Sequence, residues 1–127
     1  MNLETQFQLG YKIVRSNLKS AIASSPQLER EYSTEWWTYP SHTRLPLMVF
    51  KDKRSARKFL KRERESGADL KLFSCLFEES THKLTFWYMG KDVTLEEVLD
   101  KQDQGNFSSF PENTVFAKRV KLLKEIE

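Results

Sequence analysis

The stretch Pro46-Leu47-Met48-Val49-Phe50-Lys51-Asp52-Lys53-Arg54-Ser55-Ala56-Arg57-Lys58-Phe59-Leu60-Lys61-Arg62-Glu63-Arg64 changes its period partway along. Its first five residues are almost wholly apolar, which predicts a central strand buried on both faces. Asp52 is a natural N-cap. From Lys53 the spacing turns helical, and Ser66-Gly67 supplies the stop. At about 100° per residue, Lys53, Arg54, Arg57, Lys58, Lys61, Arg62 and Arg64 share one half of the helical wheel. Ala56, Phe59 and Leu60 take the other half, joined by Glu63. The expectation is a helix over about 52–65 that buries one face against a sheet and projects positive charge from the other.

Working outward, Tyr11-Lys12-Ile13-Val14-Arg15 is β-branched and aromatic and reads as a strand. Ser16-Asn17 offers a turn, and Leu18 to Ala23 a returning partner. Ser24-Ser25-Pro26 interrupts the pattern. Glu29 to Tyr39 alternates loosely and is expected to be extended, since residues ahead of Pro40 avoid the α region. Pro40 to Pro46 reads as a loop. Beyond the helix, Leu70 to Phe77 predicts a strand, Thr81-His82-Lys83 a turn, and Leu84-Thr85-Phe86-Trp87-Tyr88 a hairpin partner ending at Gly90. Thr94 can cap a short helix over about 94–100. Asp100 to Glu112 is polar and reads as a loop. Thr114 to Ile126 fits a strand better than a helix, because Thr-Val-Phe opens it. Together these elements predict one compact α+β domain over residues 1–127, with a mostly antiparallel twisted sheet.

Composition bounds the rest. The chain has 127 residues, enough for one domain with its own core. Its aromatic share of 13% offsets a modest apolar share of 39% and argues against disorder. One cysteine, Cys75, excludes an internal disulfide and a cysteine-built zinc site. Cys75 sits in an apolar run and is read as a buried hydrophobe. The N-terminus lacks the pattern of a signal peptide, and no stretch is apolar over a membrane-spanning length. The expected location is therefore the reducing cytoplasm, with no membrane partner. No phosphate-binding loop, dinucleotide glycine pattern, zinc-ligand spacing or serine elbow is present, so no cofactor, no metal and no catalytic residue is expected.

Charge is uneven. Lys51 to Arg64 holds eight basic residues against Asp52 and Glu63, a local +6, whereas the remaining chain sums to −3 to give the overall +3. Such a face is an electrostatic footprint for nucleic acid or for an acidic protein surface. The alternative is a solvated face that keeps the domain soluble. Arg54–Lys58, Arg57–Lys61 and Lys58–Arg62 are like-charge pairs that each cost a few tenths of a kcal/mol, which argues for a use. The acidic stretch Asp92 to Asp103 could answer this charge, within one molecule or between two copies in a homodimer. Trp36, Trp37 and Tyr39 form a second candidate contact, as binding anchors or as a packed layer.

Four pieces of the chain together resemble the layout of small uncharacterised proteins of tailed phages and prokaryotes. They are Tyr11-Lys12-Ile13-Val14-Arg15, Pro46-Leu47-Met48-Val49-Phe50, the helix with Ala56 and Phe59, and Thr114-Val115-Phe116-Ala117 with Val120-Lys121-Leu122-Leu123. That family implies no activity. The element order also resembles a reduced ADP-ribosyltransferase-like fold, which implies a split sheet and an early Arg or His, a central Tyr or Ser and a late Glu or Gln around nicotinamide. Arg15 matches the first of these and no residue matches the others. Three functions follow as expectations. The first is a non-enzymatic binding module, such as a phage or mobile-element accessory protein, presenting the cationic helix, with help from Trp36, Trp37 and Tyr39, to nucleic acid or an acidic protein surface. The second is a nucleotide- or NAD-like ligand pocket, or a degenerate transferase, beside Tyr11 to Arg15 and the Trp36 to Tyr39 loop. The third is an assembly role through an exposed edge strand at Thr114 to Ile126.

Overall fold

The computed structural model describes residues 7–21, 28–86, 92–105 and 110–127. Four strands and two helices follow one another as β1 (Phe7–Arg15), β2 (Leu47–Phe50), α1 (Lys53–Glu65), β3 (Leu70–Glu79), α2 (Leu95–Gln104) and β4 (Thr114–Glu125). All strand pairs are antiparallel, and the strands close into a barrel in the order β1-β2-β4-β3. The α+β expectation holds, and residues 114–125 are a strand. The sheet is one closed barrel, not the split sheet implied by the ADP-ribosyltransferase-like resemblance.

β1 pairs with β3 from Phe7↔Glu78 to Arg15↔Leu70, whereas it meets β2 only at Tyr11↔Phe50. Where those two strands part, irregular segments complete the wall. Ser20 bridges Val14, Glu31 bridges Lys19, and Thr38 bridges Val120 through hydrogen bonds of 2.8 and 2.9 Å. The returning strand expected after Ser16-Asn17 shrinks to these short bridges, with Leu18 at φ +68 in the turn; Ile22 and Ala23 lie outside the described residues. β4 has β2 along its first residues, β3 along its remainder, and Thr38 against Val120 on its other side. The exposed edge expected at Thr114 to Ile126 is thus occupied by the chain itself.

Alternation along the strands separates two cores. Val14, Val49, Cys75, Phe77, Val120, Leu122 and the inserted Tyr32 fill the barrel interior. Ile13, Phe50, Leu70 and Leu72 lie on the other face and bury Ala56, Phe59 and Leu60 of α1. β2 is therefore buried on both faces, as its apolar run predicts. Gly10 faces inward so tightly that a Cβ there would lie 2.7 Å from a Phe77 ring carbon. β-Bulges in the β3–β4 pairing, between Ser74 and Cys75 and between Glu78 and Glu79, bend the sheet toward closure.

α1 begins where Asp52 accepts a hydrogen bond from the Ser55 N–H at 3.1 Å, and it stops before Gly67 at φ +92. Asn113 ties this start to β4: its side-chain amide donates to Ser55 Oγ at 2.9 Å, and its carbonyl accepts from the Lys51 N–H at 2.9 Å.

α2 opens with a full capping box, Thr94 and Glu97 bonding reciprocally at 3.0 and 3.1 Å. It continues to Gln104, past the expected end near residue 100, and so takes the first part of the stretch read as a loop. The reason is Gln102, a buried polar residue that no apolar period reveals. Its amide donates to Lys83 O at 2.7 Å and accepts from the Thr85 N–H at 2.9 Å. That grip holds Leu84-Thr85-Phe86 against α2, where Leu84, Phe86, Leu45 and Val98 form a third apolar cluster. The expected hairpin of residues 70–77 with 84–88 is absent over the described part, because β1 and β4 already flank β3. Trp87, Tyr88 and the Gly90 stop lie outside the described residues.

Candidate functional site

The most charged surface is the outer side of α1. Arg54, Arg57, Lys58, Lys61, Arg62 and Arg64 are exposed, and Lys53 is half-buried. Three of the seven have partners. Arg57 Nε pairs with Glu127 at 3.2 Å, Arg64 donates to Leu70 O at 2.8 Å, and Arg62 meets Glu63 at 4.0 Å and lies over the Phe59 ring. Lys53, Arg54, Lys58 and Lys61 meet no acidic side chain among the described residues. Glu63, placed on the apolar half by the wheel, is half-buried, and Ser55 joins Ala56, Phe59 and Leu60 as buried instead.

The acidic stretch does not neutralise this face among the described residues. Asp103 turns to Arg44, which grips both its oxygens at 2.6 and 2.7 Å, and Glu97 serves the α2 capping box. Beside α1 an open groove of about 480 Å³ is lined by Arg57, Leu60, Lys61 and Arg64, with Glu65 and Glu127 at its side. Arg57, Lys61 and Arg64 follow one another at helical spacing, so their Cα atoms advance by roughly 6 and 4.5 Å along the axis. A row of cations at that pitch, with apolar Leu60 beneath it, can follow a chain of anionic groups.

The aromatic candidates gather elsewhere. Trp37 is half-buried and stacks on Phe7 with centroids 5.4 Å apart. Arg119 lies over both rings, 4.3 Å from Trp37 and 4.8 Å from Phe7. Its guanidinium bonds Glu78 at 2.9 Å and the Tyr39 hydroxyl at 3.4 Å. Lys118 reaches Glu78 at 2.9 Å, and its hydrogen bond is the first cause holding the Glu78 carboxyl below the usual carboxylate range. Trp36 and Tyr39 remain over half exposed. This patch surrounds the start of β1, whereas α1 packs near Tyr11 and Ile13, four to six residues on and roughly 13–20 Å away along the strand. The helix and the tryptophans therefore form separate surfaces. Within the stretch from Glu29 to Tyr39, the aromatic that enters the core is Tyr32 and not Trp36 or Trp37.

Tyr11 and Arg15, the expected pocket residues, lie on the outward register of β1. Tyr11 packs against the α1 cluster, and Arg15 pairs with Glu29 at 3.1 Å. Between them, Lys12 points into the barrel and is only 7% exposed. Its ammonium donates to Met48 O at 2.6 Å and sits 4.7 Å from the centre of the Tyr32 ring. Burial pulls the Lys12 amine down to about 8. Burial likewise pushes the Cys75 thiol up to about 12 and raises the Tyr32 phenol. Sequence reasoning passed over Lys12, although Gly10, Lys12 and Val14 alternate onto one face, and Val14 marks that face as core.

Among the described residues no group of three or more His, Cys, Asp or Glu side chains is placed to hold a metal ion. No described helix is long and apolar enough to cross a membrane. Comparison with protein-family models, with curated proteins and with solved structures finds no match.

Proposed function

We propose that the protein is a binding module that docks a polyanion, foremost nucleic acid, on the outer face of α1. One observation carries this reading: four cations of that face, Lys53, Arg54, Lys58 and Lys61, have no acidic partner among the described residues. Apposed like charges on a helix are mildly destabilising, and here the fold leaves them unrelieved while using its acidic groups elsewhere. The adjoining groove adds Arg57 and Arg64, giving a cationic strip along the helix. Contacts of this kind hold backbone phosphates and carry little base information.

Fluorescence-anisotropy titrations with single-stranded DNA, duplex DNA and RNA test this. If four phosphates are engaged on duplex DNA, affinity falls on the order of a hundredfold between 50 and 200 mM salt. The charge reversal R54E/R57E/K58E/K61E abolishes binding while circular dichroism and the melting transition persist. Binding that survives the reversal, or none at 50 mM salt with any nucleic acid, refutes the nucleic-acid reading. In the second case an acidic protein surface is the remaining polyanion for this face.

A further inference from the structure

Lys12 serves no role in the α1 surface, and its setting is unusual for a structural lysine. An ammonium has three donors, yet one carbonyl and one aromatic ring are its only partners among the described residues. A buried charge normally has a counter-ion. No described carboxylate pairs with this one.

The amine also lines a cavity. Where β1 and β2 part below Tyr11↔Phe50, the wall opens into a space of about 60 Å³ lined by Lys12, Ser20, Tyr32, Met48 and mostly apolar side chains. Leu28, Pro46, Leu84 and Pro111 are among those apolar groups. This is about twice the volume of one water molecule, and far below the several hundred Å³ of a nucleotide-sized site. Tyr11 and Arg15 do not line it, and the nucleotide expectation attached to them has no room here.

We propose that this cavity binds a monocarboxylate of formate or acetate size, whose oxygens take the free donors of the Lys12 ammonium and whose C–H or methyl group lies against the apolar wall. The chemistry follows from what is present. The amine supplies a fixed positive charge, Met48 O occupies one of its donors, and the wall rejects a second charged group. The Tyr32 ring adds a cation–π contact that holds the ammonium in place. The titratable groups facing the amine are Cys75 of β3 and Tyr32, and burial keeps both neutral through neutral pH. The ammonium is charged below about pH 8, so carboxylate affinity is full there and declines as pH rises above it.

The test is a titration of the whole protein with sodium formate and sodium acetate at pH 6.5, followed by ¹H–¹⁵N correlation spectra at constant ionic strength. Saturable shifts centred on Lys12, Tyr32 and Met48 are expected, with Kd rising at least tenfold at pH 9.5 and in Lys12→Met. Acetamide, the neutral counterpart of acetate, should bind at least tenfold more weakly. The α1 charge reversal should leave the affinity unchanged, which separates this site from the polyanion face. Should Lys12→Met not fold, the pH and amide comparisons on the native protein decide. Shifts that map to α1, equal binding of acetamide, or no saturation by about 100 mM overturn the proposal.

Discussion

Replacing Lys12 by Met tests whether a charged amine stands in the barrel at all. Burial brings this ammonium from the ordinary lysine value of 10.5 to about 8. At about 1.4 kcal/mol per pH unit, keeping it charged costs the folded state about 3 kcal/mol. The direction with pH is opposite to that of a lysine in a salt bridge. Between about pH 8 and 10.5 the unfolded chain holds this proton and the folded chain does not, so stability from this group rises with pH. Below pH 8 both states hold it and the whole penalty stays. Lys12→Met removes the penalty but leaves Met48 O without its donor, a loss of about 1–3 kcal/mol that does not vary with pH. The absolute effect at pH 7 is therefore a near balance, and the slope is diagnostic. In urea unfolding followed by tryptophan fluorescence, the variant's stability relative to native protein should drop by about 3 kcal/mol from pH 7 to 10.5. With a denaturant slope of about 1.5 kcal/mol/M, the two midpoints shift against each other by about 2 M. Titration of Cys75 in the unfolded chain affects both proteins alike, and a Cys75→Ala background removes it. A difference that stays constant across this range would show that water reaches the amine, and the reasoning from burial would fail.

Two further outcomes follow from the packing. Gly10→Ala places a methyl 2.7 and 2.9 Å from Phe77 ring carbons and 3.1 Å from Phe50 O, so it should destabilise by about 1–3 kcal/mol in a thermal melt; an unchanged melt would mean that the barrel is looser than described. Glu78→Gln removes the anchor of Arg119 and Lys118, a partly buried surface network worth about 1 kcal/mol, so the melt should move little while Trp37 emission shifts in a Trp36→Phe, Trp87→Phe background. The same shift should appear in the unsubstituted Glu78 protein as acid protonates this carboxylate, since its pairing is present above the usual carboxylate value and is lost as pH falls through the lowered one.

How much was legible in the chain depends on whether the signal was local. α1 could be read almost to the residue, because its cap, its apolar arc and its terminating glycine are all adjacent in sequence. β2 was legible as doubly buried, since a short apolar run has few other uses. The cationic face was legible too, as charge at helical spacing. What escaped depends on partners far away. Gln102 extends α2 only because Lys83 and Thr85 need its amide. The Leu84 to Phe86 run looks like a strand, but β3 has no free side to offer it. Lys12 reads as the polar half of an alternating strand, and only closure of the barrel turns its face inward. Tyr32 was overshadowed by Trp36 and Trp37, although its single ring fits where two adjacent tryptophans on opposite sides could not.

The barrel also governs how the chain reaches its native state. None of its strand pairs is a tight hairpin: Tyr11 must find Phe50, Phe7 must find Glu78, and Phe73 must find Glu125. Each ladder therefore begins with closure of a loop of dozens of residues, whose entropy is lost before any pairing compensates it. Contacts this distant in sequence place the domain among slow folders, in the millisecond-to-second range rather than the microseconds of helical bundles. On the ribosome β3 meets β1 first, and its second side waits on the order of seconds for β4 to be made. Through that interval the run Leu70 to Phe77 is half-paired and strongly apolar, so the period of greatest aggregation risk falls during synthesis and not after the barrel has closed.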